Sequence, residues 1–71
     1  MHLGHRLHMI RTALGMSRAE VARAAGIDRM TLVRIEEGAT SPRIDTLQSV
    51  FRALHVEQDG WTRLLAAEGS V

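Results

Sequence analysis

Residues 17–38 read SRAEVARAAGIDRMTLVRIEEG, and the order of caps, apolar positions and glycines in this stretch decides the fold. Ser17-Arg18-Ala19-Glu20 has the form of a capping box, in which the Ser17 hydroxyl accepts from the Glu20 amide and the Glu20 carboxylate accepts from the Ser17 amide. Met16 and Val21 stand at the staple positions around that cap. The helix starting there has room for about two turns before Gly26, the residue type best able to adopt the left-handed conformation that closes a helix. Asp28 caps the next helix, with Ile27 and Leu32 in staple register, and this helix runs to about Glu37 and stops at Gly38. Two short helices joined by a tight turn form a helix-turn-helix over residues 17–37. Ala22 is small where the two helices must approach, and Val21, Ala25, Ile27, Leu32 and Ile35 occupy inward positions.

Upstream, Leu3, Leu7, Ile10 and Leu14 share one stripe of a helix that ends at Gly15. Downstream, a polar loop of Ala39, Thr40 and Ser41 leads to Pro42, which suits the first position of a helix capped by Ser41. The stripe of that fourth helix is Ile44, Leu47, Val50, Phe51 and Leu54; Asp45 sits at the positive end of its dipole and His55 near the other. A fifth helix from about Asp59 presents Trp61, Leu64 and Leu65, and the chain frays over 68–71. No segment alternates with period two, so the expected fold is all-α: a single five-helix domain over residues 1–71.

Composition narrows the function. The chain has 71 residues, nine arginines, eight acidic side chains, four histidines and a net charge of +1. A domain this small buries only about 60% of its unfolded surface, so helix caps and a partner subunit matter to its stability. Cysteine is absent, which rules out a disulfide framework and fits a reducing compartment. No apolar run is long enough to span a bilayer and the start has no secretory apolar region; a cytoplasmic protein without membrane contact is expected. Residues 1–34 hold six arginines against Glu20 and Asp28, whereas residues 35–71 hold three arginines against six acids, so the halves carry +4 and −3. Such polarity suits a polyanion on one face. His2, His5 and His8 are spaced by three but drift around a helix, and neither Cys nor carboxylate completes a set, so they are expected as exposed side chains and no metal is expected. The capping box accounts for Ser17, no oxyanion-stabilising loop stands beside it, and neither catalysis nor a cofactor is expected.

The segments LGHRL (3–7), IRTALGMSRAEVARAAGIDRMTLVRIEEG (10–38) and SPRIDTLQSVFRALHV (41–56) resemble the Xre type of the lambda-repressor-like DNA-binding domains, across roughly residues 3–66. The resemblance implies a five-helix domain, usually dimeric on operator DNA, with its third helix in the major groove. It further implies that Arg29, Met30, Val33 and Arg34 face base edges, and that Ser17, Arg18, Thr31, Thr40, Ser41 and Arg43 contact the DNA backbone. Arg11 and Glu36 match the positions of an interhelical ion pair. Three positions depart from the usual pattern: Arg18 stands where Gln is common, Val33 where a polar residue is common, and Arg43 where a Ser or Thr usually caps the fourth helix. Trp61, Leu64 and Leu65 are expected to contact a second protomer, the alternative being that they form the lid of the core.

The function expected is that of a sequence-specific regulator of double-stranded DNA, a repressor acting as a homodimer on a pseudo-palindromic operator. Met30 and Val33 also support a rival from another class, a protein-interaction module such as an antitoxin or adaptor, with those two side chains as its contact surface.

Overall fold

A computed structural model describes residues 3–57 and 59–63. Helices α1 (Leu3–Ala13), α2 (Arg18–Ala25), α3 (Arg29–Glu37) and α4 (Ile44–Ala53) follow in order, and residues 59–63 open a fifth helix, α5. Among the described residues there is no strand. The fold is the expected all-α one: α1 packs on α3, and α2 touches both α3 and α4.

The local signals act where they stand in the sequence. The Ser17 hydroxyl accepts from the Glu20 amide at 3.1 Å, and the Glu20 carboxylate accepts from the Ser17 amide at 2.8 Å, completing the capping box. Asp28 accepts from the Thr31 amide at 3.2 Å and from the Thr31 hydroxyl at 2.7 Å. The hydroxyl and then the amide of Thr31 hold the Asp28 carboxyl below its ordinary pKa. At the other end of α2, Gly26 takes φ 71° and the Ile27 amide donates to the Ala22 carbonyl at 3.0 Å. This closure frees the chain to turn into α3 within three residues. α4 closes in the same way without a glycine: His55 adopts φ 60° and the Val56 amide donates to the Phe51 carbonyl at 2.9 Å. A β-carbon makes that conformation costly, and histidine is among the side chains that tolerate it best.

Four expectations need correction. The fourth helix begins at Ile44 with Arg43, in an extended conformation and without a side-chain hydrogen bond, at its cap, and not at Pro42 behind a Ser41 cap. Asp45 accepts from the Thr46 amide at 2.9 Å, so a carboxylate inside the first turn meets a donor that an upstream hydroxyl would otherwise have met. Because Ile44 is the first residue of α4, it lies off the core and is 56% exposed. Leu14 falls beyond α1, in the turn closed by Gly15, and is likewise exposed. His8, expected as an exposed side chain, is half-buried among charged groups of the interior.

Leu7, Val21, Leu32, Val50 and Phe51 are enclosed completely, and Leu3, Ala22, Ile35, Leu47, Ala53 and Leu54 complete the core. Met16 and Ile27, the outer halves of the two staples, pack against it. Trp61 also lies on this core: its ring centroid is 5.6 Å from that of Phe51, and its indole N–H donates to the Val56 carbonyl at 2.6 Å. The Arg52 guanidinium sits 5.5 Å from the Trp61 ring centroid, within cation–π range. Leu64, Leu65 and the tail at 68–71 lie outside the described residues.

The α1–α3 contact has two parts, one steric and one electrostatic. Gly4 is buried, and a β-carbon there would run into the Ile35 carbonyl oxygen and come within 2.9 Å of that of Glu36. Two turns further on, the Arg11 guanidinium grips Glu36 with Nε donating to Oε2 at 2.7 Å and Nη2 donating to Oε1 at 3.2 Å. Its Nη1 donates to the Met16 carbonyl at 2.9 Å. Arg18, from α2, adds Nε to Oε1 at 3.1 Å, and His8 Nδ1 lies 3.2 Å from the same oxygen. Arg11 and Glu36 are both buried, and among the described residues no buried side-chain nitrogen or oxygen lacks a partner. Burial pushes the Glu36 carboxyl up, but hydrogen bonds from Arg11, Arg18 and His8, with the charge of Arg11, outweigh it and leave its pKa below the ordinary value.

Two measurements probe this contact. Arg11→Met leaves Glu36 with Arg18 and His8 alone, and urea denaturation at neutral pH should register a loss of about 3 kcal/mol, the lower end for breaking a buried pair. Since the folded-state pKa of Glu36 is lowered, its contribution is fully present above the ordinary glutamate pKa and disappears as pH falls through the lowered value. The wild type should therefore lose stability over that acid range, and the Arg11→Met variant should lose less. Gly4→Ala, by contrast, gains about 1 kcal/mol of helix propensity and should still destabilise by about 1 to 3 kcal/mol, because the methyl meets backbone that cannot swing aside. An alanine variant as stable as the wild type would mean that α1 and α3 do not approach this closely.

Candidate nucleic-acid interface

Helix α3 has two unlike faces. Leu32, Ile35 and Glu36 turn inward, whereas Arg29, Met30, Arg34 and Glu37 are exposed and Val33 is half-buried between them. At 100° per residue the exposed group spans one continuous arc of the helix. The four side chains expected to face base edges, Arg29, Met30, Val33 and Arg34, therefore share one surface. Glu37 belongs to it as well. By sequence Glu37 is only the end of the helix, yet its position four after Val33 places it on the same face. A carboxylate there can accept from a cytosine amino group and would repel a phosphate.

Anchoring comes from the opposite face and from both ends. Leu32 and Ile35 lie in the core, the Asp28 cap defines the first turn, and Gly38 closes the last with φ 73°. A helix held this way presents its outer side chains on a rigid base, which a reader of base edges requires.

The residues expected at the DNA backbone are distributed among three places. At the start of α2, Ser17 is exposed and its oxygen accepts from Glu20, which leaves the hydroxyl proton to donate outward. Arg18 follows with 40% of its side chain exposed and its Nε on Glu36, so it stands beside the last turn of α3. Thr40, Ser41 and Arg43 lie exposed on the segment between α3 and α4. Arg43 approaches Asp45 at 3.7 Å, but both side chains are so open to water that this pair adds little to either. Thr31 differs from the rest. It is half-buried, and its hydroxyl proton is given to Asp28, so the structure employs it as part of a helix cap.

Arginine on an exposed helical face offers a planar fork that matches the O6 and N7 acceptors of guanine, and arginine or a hydroxyl at helix ends suits phosphate oxygens. No helix among the described residues is long and apolar enough to cross a membrane.

Known proteins place this chain in a family. The helix-turn-helix family matches residues 7–67. Among solved structures, the chain is similar to the restriction-modification controller protein C.AhdI from Aeromonas hydrophila, with 29% identity and a TM-score of 0.77 over 82% of this chain and 88% of that one. It also shares its fold with a mutant of the restriction-modification controller protein C.Esp1396I, at 22% identity and a TM-score of 0.80 over 90% of this chain and 84% of the other. No curated protein matches it. With the capped α2–α3 pair, the outward arginines of α3 and a family match covering most of its length, the chain belongs to the Xre-type, lambda-repressor-like helix-turn-helix family of DNA-binding transcriptional regulators.

Proposed function

We propose that this chain is a sequence-specific regulator of double-stranded DNA, acting in the cytoplasm as a homodimeric repressor on a pseudo-palindromic operator. The observation that carries this reading is the exposed arc of α3, where Arg29 and Arg34 flank Met30 and Val33 on a helix whose other face is locked into the core. In the major groove, Arg29 and Arg34 read guanine, and Met30 and Val33 meet the thymine C5 methyl. Ser17, Arg18, Thr40, Ser41 and Arg43 hold phosphates on either side, with Thr31 doing so only if its hydroxyl turns from Asp28. A second protomer docks through Trp61, Leu64 and Leu65, and two-fold symmetry then places two copies of α3 on successive major grooves. Repression is the outcome where the operator overlaps a promoter, because the bound dimer then closes that DNA to polymerase.

Selection of bound duplexes from a random pool tests this reading. An inverted repeat whose half-site contains guanine is the expected product, and the absence of any enriched sequence would end the operator reading. On the selected site, Arg34→Ala should cost about 1 to 3 kcal/mol and relax preference at one position. Arg43→Ala should weaken all sequences alike and make the log-log salt dependence shallower by about one phosphate contact, a slope change of about 0.9.

A second reading has its own observation: Met30 is 48% exposed, an apolar side chain at the centre of the recognition face. On a protein-interaction module, that side chain is the contact. Replacing the half-site thymines by deoxyuracil removes a methyl and leaves every hydrogen-bonding group in place. Each contacted methyl should contribute up to about 0.8 kcal/mol, so affinity should fall several-fold. A silent replacement at every thymine, together with loss of a protein partner on Met30→Glu, would transfer this face to the interaction module.

A further inference from the structure

We propose that Glu36, although buried and out of reach of DNA, is a positioning residue for phosphate contact because it holds Arg18 by one end of its guanidinium and aims the other outward. The inference rests on the DNA-binding reading above.

Arg11 meets the Glu36 carboxylate on both oxygens and is itself buried, so the first arginine already balances its single charge. Arg18 is therefore a surplus cation. It meets Oε1 through Nε, the inner nitrogen of the fork, and this leaves the two outer Nη groups to a further acceptor. The side chain is 40% exposed, against 8% for Arg11, which places its outer edge at the surface. Arg18 is also the first residue of α2, next to the exposed Ser17 hydroxyl, where the helix dipole is positive. A guanidinium holds a carboxylate on one edge and presents a planar second edge to a phosphate in a fixed direction, whereas the three donors of a lysine ammonium radiate from one nitrogen and fix no such plane. The result is a relay in which the carboxylate that ties α1 to α3 also removes the conformational freedom of a phosphate-contacting side chain before DNA arrives.

The sign of one substitution distinguishes this from plain electrostatics. Glu36→Gln deletes a negative charge near a polyanion, so charge alone predicts tighter binding. Positioning predicts weaker binding, because the amide retains one acceptor oxygen, which buried Arg11 takes, and Arg18 is released. The full chain should be titrated with the selected operator duplex and with an unrelated duplex across a salt series, at a temperature where circular dichroism finds each variant folded. The expected result is a several-fold weaker affinity for both duplexes and a log-log salt slope shallower by about one. In an Arg18→Ala background, Glu36→Gln should weaken binding no further. Tighter binding, or the same weakening in both backgrounds, would overturn the proposal, the latter by showing that Glu36 acts through the fold alone.

Should Glu36→Gln fail to fold, Arg18→Lys makes the same distinction, since it keeps the charge and leaves the buried pair intact. Lysine should bind both duplexes several-fold more weakly than the wild type despite its equal charge, and a lysine variant matching the wild type would overturn the proposal. A wild-type chain that binds neither duplex removes the DNA-binding reading itself, an outcome separate from wild-type binding that is indifferent to both substitutions.

Discussion

A single buried carboxylate joins three of the four main helices. Glu36 projects from the last turn of α3 and receives Arg11 from α1, Arg18 from α2 and the ring of His8, again from α1. A charge placed there alone would destabilise so small a core, and a carboxylate with only one partner would leave lone pairs unsatisfied. With two arginines and the His8 ring around it and the remaining Arg11 nitrogen on the Met16 carbonyl, the network is complete. Apolar contacts at these positions would bind the helices as well, but without direction. The forked geometry of arginine allows one register of α1 against α3, and that register brings the backbone of Gly4 against the Ile35 carbonyl.

His8 adds a refinement to this network. Its Nδ1 lies 3.0 Å from Arg11 Nη2 and 3.2 Å from Glu36 Oε1. With a proton on Nδ1 the ring donates to the carboxylate, and with a lone pair there it accepts from the guanidinium, so either state of the ring finds a partner. The half-buried edge of the network therefore remains satisfied whichever state His8 adopts.

Function depends on the same construction from the other side. The inward face of α3 ends in Glu36 and the outward face carries Arg29, Met30, Val33, Arg34 and Glu37. Whatever holds Glu36 also sets the rotation of α3 about its axis, and a rotation of one residue, about 100°, would exchange most of the side chains on its outward face. The helix ends contribute to this rigidity. A capping box on α2, the Asp28 cap on α3 and left-handed closures hold these helices to lengths of 8 and 9 residues, too short to persist alone in water but well defined once packed.

The sequence by itself determined the elements whose causes are local. The caps at Ser17 and Asp28, the closures at Gly15, Gly26 and Gly38, and the inward positions of Val21, Leu32 and Ile35 all follow from interactions within about four residues of chain, and each is found in place. The matching of arginines to a DNA-reading helix came from the resemblance those same residues carry. Tertiary structure decided what depends on distant partners. Arg18 reads in sequence as an exposed cation at a helix start, and only the approach of α3 brings Glu36 within 3.1 Å of it. Nothing near Gly4 in sequence calls for a glycine, and only the fold brings the Ile35 carbonyl into the space where a side chain would be. Ile44 and Leu14 fit an apolar stripe by spacing alone, but spacing does not say where a helix begins or ends, and each lies at the edge of its element and outside the core. His55 closes α4 in a conformation usually left to glycine because the packing of Phe51, Val56 and Trp61 requires the chain to turn there, a demand that no neighbour in sequence announces.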